Sequence, residues 1–138
     1  MRKILFIISV GIVLLSVSCR KEQQADAALL SAKQYYDSLV AGNNAFFIRA
    51  TYLPDTIPTS YREQLETNAK MFMARQTDEH KGITAVDTVA CVHDTIPAKG
   101  DRPAIHTANA FLMLTFGDNE KEEIVVPMIE HDGRWLMR

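Results

Sequence analysis

The hydrophobic pattern of this chain runs at two periods, three to four residues in its first half and two in its second. Over Asp26 to Ala41, Ala28, Leu29, Ala32, Tyr35, Tyr36, Leu39 and Val40 fall three and four apart, one stripe of an amphipathic helix. Gly42 and Asn43, which take left-handed conformations readily, stop it. Ala45 to Leu53 is a shorter apolar piece that predicts a brief second helix, and Pro54 forbids its continuation. Pro54 and Pro58 then bracket a loop. Ser60 with Glu63 makes a capping box, which predicts a third helix running to about Asp78. Tyr61, Leu65, Ala69, Phe72 and Met73 share one of its faces.

From Gly82 the period becomes two. Val86, Thr88, Ala90 and Val92 share one face of a predicted strand, and Ile83, Ala85, Val89 and Cys91 share the other. Ala104 to Phe116 is a second, longer strand, and Gly117-Asp118-Asn119 turns the chain into a third at Glu122 to His131. Asp132-Gly133 is a two-residue hairpin signal that returns it through Arg134 to Met137. Pro127 has no amide to donate, so it predicts an edge or a bulge, and a bulge would bend the sheet. Helices followed by consecutive strands imply an α+β domain, with N-terminal helices packed in the concave face of a curved, about four-stranded antiparallel sheet. Such a concavity encloses a core and, where side chains leave space, a pocket.

The first residues carry a different signal. Arg2 and Lys3 precede the apolar run Ile4 to Leu15, and Ser16-Val17-Ser18 leads into Cys19. That run is shorter than the ~20 residues needed to span a hydrocarbon layer, so 1–18 reads as a cleaved export signal. The segment resembles a bacterial lipoprotein signal, which implies lipidation of Cys19. Leu15 stands one step further from the cysteine than such signals usually place it, and Ser16 and Ser18 also suit ordinary cleavage to an unlipidated secreted form. The polar stretch 19–25 reads as a tether and 26–138 as one domain. The expected location is the cell envelope, anchored by lipid at the outer membrane.

Charge narrows the partners. The chain carries 15 basic and 17 acidic residues, a net −2, and both signal charges are basic, so the rest is more acidic still. That argues against nucleic acid and against electrostatic docking on anionic lipid. Behind the signal and Cys19, only Cys91 remains, so the domain has no internal disulfide and Cys91 is expected as a small buried apolar residue.

Three segments, Pro58-Thr59-Ser60-Tyr61-Arg62-Glu63-Gln64-Leu65, His80-Lys81-Gly82-Ile83 and Asp132-Gly133-Arg134-Trp135, together with the helices-then-meander order, resemble the nuclear-transport-factor-2-like (NTF2-like) superfamily. Within it the chain looks like the small exported bacterial lipoproteins of unknown function. The resemblance spans about Asp26 to Met137 and implies the cystatin-like cone fold, not an activity. The superfamily includes ketosteroid-isomerase-like and dehydratase-like enzymes with an Asp or His acid–base group beside a Tyr in the cone. None of their catalytic motifs matches this chain residue by residue.

The chemical raw material is modest. Asp87 on the first strand, with His93, His106 or a tyrosine, would suit a cofactor-free lyase or isomerase if the cone raised its pKa. His80, His93, His106 and His131 lack metal-ligand spacing; His93 and His106 could face each other across a hairpin, but with no third ligand evident no metal is expected. No cofactor motif is present: no phosphate loop, no nucleophile elbow, no metal-spaced cysteine pair. Tyr35, Tyr36, Phe72, Val89 and Phe111 are the candidate pocket lining, although aromatics such as Phe46, Phe47 and Tyr61 fit core stripes equally well. The sequence therefore predicts a non-catalytic binding module. It would take a small apolar ligand in the cone or a protein partner on the outer sheet face, with the lyase or isomerase as the alternative. Self-association would pair sheet faces through Phe111, Met113 and Trp135.

Overall fold

A computed structural model describes residues 26–54 and 56–138. The expected export signal and tether, with Cys19, lie outside the described residues. Three helices, α1 (Ala27–Val40), α2 (Asn44–Arg49) and α3 (Thr59–His80), precede four strands, β1 (Ile83–Ile96), β2 (Ile105–Phe116), β3 (Lys121–His131) and β4 (Arg134–Met137). The strands form one antiparallel sheet in the order β1-β2-β3-β4, as expected of a meander.

Helix α1 fills the hollow of the sheet. Asp26 caps it, its carboxylate accepting from the amides of Ala28 at 3.0 Å and Leu29 at 3.3 Å. The stripe then buries Ala28, Ala32, Tyr35 and Leu39, of which the first three pack on the inner sheet residues Ala108, Ala110, Leu112, Val126 and Met128. Alanines meet on both sides of this interface, with Ala28, Ala32 and Ala110 wholly buried. Small side chains let the helix backbone approach the sheet closely, so the concavity holds α1 itself. The Tyr35 hydroxyl adds a 2.5 Å hydrogen bond to the carbonyl of Trp135. Helix α3 is more loosely held: only Ala69 is buried, in a smaller cluster with Leu39 and Ile48.

Several boundaries differ from the sequence expectation for physical reasons. Helix α2 stops at Arg49 because the chain beyond it pairs with β4: Met137 N donates to Ala50 O at 2.8 Å and Tyr52 N donates to Met137 O at 2.6 Å. The Ser60–Glu63 capping box does not form. Helix α3 begins two residues earlier, at Thr59, with Pro58 at the cap position and no side-chain cap. Pro127 makes no bulge in β3, whose register against β2 is continuous. Its carbonyl accepts from Arg138 N at 3.0 Å, so its missing amide faces the end of β4, where no ladder donor is needed.

The irregularities lie in β1 instead, between Ile83 and Ala85 and between Thr88 and Ala90. Each inserts an extra residue and reverses the alternation. Ile83 pairs with Phe116, Val86 with Leu114 and Cys91 with Ala110, all partners on the inner face, although strict period two separates Val86 from Ile83 and Cys91.

At the other end, α3 is tied to the β2–β3 turn. Lys81 closes the helix in the left-handed conformation at φ 60, Gly117 N donates to Gly82 O, and Asp118 N donates to His80 O. A Cβ on Gly117 would run into the Lys81 carbonyl, so the close approach requires glycine there. Asp132 and Gly133 both take positive φ, the two-residue hairpin geometry that the sequence predicted.

Candidate functional site

Two features gather chemistry-bearing side chains. The first is an open cleft of about 360 Å³ beside the cone, where α2, the 50–54 connector, the first turn of α3 and the start of β4 meet. Tyr35, Phe46, Ile48 and Leu53 give it apolar walls, and Tyr35 and Phe46 pack with ring centroids 5.9 Å apart. Arg49 ends α2, Arg62 lies in the first turn of α3, and Arg134 opens β4; all three arginines line the cleft. None of them pairs with a carboxylate among the described residues. The described lining includes no Asp, Glu, His or Cys. Three arginines beside a few apolar side chains, in a cleft whose surface is more polar than apolar, suit an anion with a small apolar body: planar forks match a carboxylate or phosphate, and Phe46, Ile48 and Leu53 take the rest.

The second feature sits on the inner sheet face at the N-terminal end of α1. Asp26 uses one carboxylate oxygen to cap the helix and the other to meet His93 Nε2 at 2.5 Å. Cys91, two residues before His93 and so on the same face, completes the group: the ligand atoms of Asp26, Cys91 and His93 all lie within 4.8 Å of one another. Trp135 stands edge-on to His93, ring centroids 5.5 Å apart. Burial would raise the Asp26 pKa, but the His93 hydrogen bond, the amides of Leu29 and Ala28 and the His93 charge outweigh it and hold it below the ordinary value. Burial, then the charge and hydrogen bond of Asp26, push the Cys91 thiol up to about 11. Cys91 is thus half-buried and protonated, and not an activated nucleophile.

The remaining candidates fall outside these two places. Asp87 pairs with Met113 on the outer face and is exposed, so the Asp87-with-histidine or tyrosine arrangement does not assemble. His106 does not face His93: it pairs with Thr95, whose hydroxyl lies 3.3 Å from its Nδ1, while His93 pairs with Ala108. Of the candidate pocket residues, Tyr35 lines the arginine cleft, and Tyr36 and Phe72 line a separate gap of about 210 Å³ between the helices. Val89 is exposed at the β1 bulge, and Phe111 lies half-buried on the outer face opposite Val125. Trp135 belongs to the inner face, two residues from the buried Met137, which removes it from the outer surface expected for self-association. Arg49, Arg62, Arg134 and Asp26 were missed because they look like ordinary surface charges and a helix cap; Arg62 and Arg134 sat in segments already singled out, but for their turn and cap chemistry.

No protein-family profile and no curated protein matches the sequence. Among solved structures, a Campylobacter jejuni protein provisionally named an NTF2-like transpeptidase superposes with a TM-score of 0.55 at 14% identity, over 77% of this chain and 92% of that one. The chain therefore has the NTF2-like fold, α helices before a curved four-stranded antiparallel sheet.

Proposed function

We propose that this chain is a lipid-anchored envelope domain that works by binding, and that its ligand is a small amphipathic anion held in the arginine cleft. One observation carries this reading: Arg49, Arg62 and Arg134 line one cleft from three separate elements, beside Phe46, Ile48 and Leu53, in a chain whose overall charge is negative. Each guanidinium contact in an open cleft is weakened by water, to about 0–1 kcal/mol, so selection for negative charge comes from three of them acting on one anion. The apolar ligand expected in the cone moves to this neighbouring cleft because α1 occupies the concavity. The lyase or isomerase alternative loses its support with Asp87 on the outer face.

Titration of the full chain in nonionic detergent with octanoate tests the reading. Binding should weaken as salt rises and fall at least ~10-fold, about 1.4 kcal/mol, in the double variant Arg49→Glu/Arg134→Glu. Equal affinity for octyltrimethylammonium, or unchanged octanoate binding by the double variant, overturns it. Anchoring has its own measurement: Cys19→Ala should move the protein from the membrane fraction to the soluble envelope fraction, and retention at the membrane would refute lipidation.

The exposed Val92 and Val125 on the outer sheet face support a second version of the binding reading, a protein partner or second copy seated there. Val125→Asp would then abolish association in sedimentation equilibrium, and a wild-type monomer would rule out the second copy.

A further inference from the structure

We infer that Asp26, Cys91 and His93 form a three-ligand site for a zinc-like divalent cation at the mouth of the cone. The donor set of one thiol sulfur, one imidazole nitrogen and one carboxylate oxygen is the mixture zinc takes, and hard cations such as calcium and magnesium do not favour it. Each ligand is placed by a different structural device. Cys91 and His93 are two apart on one strand, so both side chains leave the same face, the spacing that lets a strand chelate an ion with two residues. The bulge at Val89 turns that pair inward. Asp26 arrives from 65 residues earlier in the sequence at the tip of α1, its carboxylate oriented by the amides of Ala28 and Leu29.

The geometry needs only small adjustment. Zinc bonds of ~2.0 Å to nitrogen or oxygen and ~2.3 Å to sulfur put tetrahedral ligands roughly 3.3–3.8 Å apart. The three ligand atoms now lie within 4.8 Å of one another, and the 2.5 Å Asp26–His93 contact would open as the ion came between them. Sulfur would join as the thiolate, its proton passing to solvent. His93 is half-exposed, leaving a fourth position for water. Trp135 edge-on to the imidazole limits its rotation and aims it at the group. None of these residues lines the arginine cleft, so this site stands or falls independently of the anion reading.

Cobalt(II) chloride titration of the full chain carrying Cys19→Ala, which leaves Cys91 as its only thiol, is the decisive test. The expected result is intense visible absorption of tetrahedral cobalt with a thiolate-to-cobalt charge-transfer band, both bleached by zinc sulfate. Adding Cys91→Ser should erase the charge-transfer band. His93→Ala and Asp26→Asn should each weaken binding by at least the ~10–100-fold that loss of an orienting partner costs a metal site. Asp26→Asn keeps an oxygen for the helix cap, and circular dichroism of each metal-free variant separates lost ligation from lost folding. A weak octahedral spectrum with no charge-transfer band, or an unchanged band in the Cys91→Ser chain, overturns the proposal.

Discussion

The interface beneath α1 and the cleft beside it use opposite materials, although Tyr35 belongs to both. Beneath the helix, alanines face alanines, Leu112 and Met128 are wholly buried, and the hydrocarbon excludes water. In the cleft, three exposed arginines surround a space of about 360 Å³. The first region stabilises the domain by burial, which scales with apolar area removed from water. The second keeps three cations hydrated and together, a cost that a bound anion would offset. The helix occupies the concavity, and the open volume lies at the seam where α2 and the connector pair with β4.

Breaking the interior should give the largest effect. Leu112→Ala leaves a cavity that the close-packed α1 interface cannot refill, and should cost about 2–5 kcal/mol in urea unfolding. A loss below about 1 kcal/mol would mean the interface is looser than its burial implies. Tyr35→Phe tests the residue shared by both regions. It removes the 2.5 Å hydrogen bond to the Trp135 carbonyl and should cost about 1 kcal/mol, with octanoate affinity changed less than by loss of the arginines.

A smaller, pH-dependent effect belongs to the junction between α3 and the β2–β3 turn, where His80 Nδ1 meets Asp118 at 2.9 Å and stacks on Phe116. The hydrogen bond that His80 donates to the Asp118 carboxylate raises the His80 pKa against the opposing effect of burial, and the same bond lowers that of Asp118. A raised histidine stabilises fully below its ordinary 6.5 and loses that contribution as pH rises through its folded value. A lowered aspartate stabilises above its ordinary 3.8 and loses the contribution as pH falls through its folded value. The wild-type Tm advantage over His80→Gln should therefore be widest between 3.8 and 6.5 and narrow toward alkaline pH. A difference constant with pH would show that only the Phe116 stacking matters. Smallest of all, Arg62→Ala should shift stability by no more than about 0.5 kcal/mol while weakening octanoate binding, which is what separates cleft from core. Coupled losses of both would merge the two regions.

How much of this was legible depended on the range of the signal. The α1 stripe, the four strands and the Asp132-Gly133 hairpin all follow from local periodicity and turn chemistry, and the structure has them within a residue or two except at the end of β1, which runs on to Ile96, past the Val92 where the periodic reading stopped. The β1 faces were misread because a bulge carries no distinctive residue: Val89 looks like any strand valine, yet it reverses every side chain beyond it. The Asp26–His93 contact could not be anticipated, since 67 residues separate the partners and Asp26 alone reads as a helix cap. The cleft draws its arginines from three elements, and nothing local distinguishes a guanidinium that converges with others from one that points to water.

By itself, then, the sequence determined which stretches are helix and which are strand, and their antiparallel order. Each of these rests on interactions between near neighbours in the chain. Only the tertiary structure decided that α1 occupies the concavity, that a bulge turns Cys91 and His93 toward Asp26, and that three arginines share one cleft. Those outcomes depend on how closely small side chains let a helix approach a sheet and on where β4 accepts the connector. Distances between residues far apart in the chain exist only after packing has chosen them.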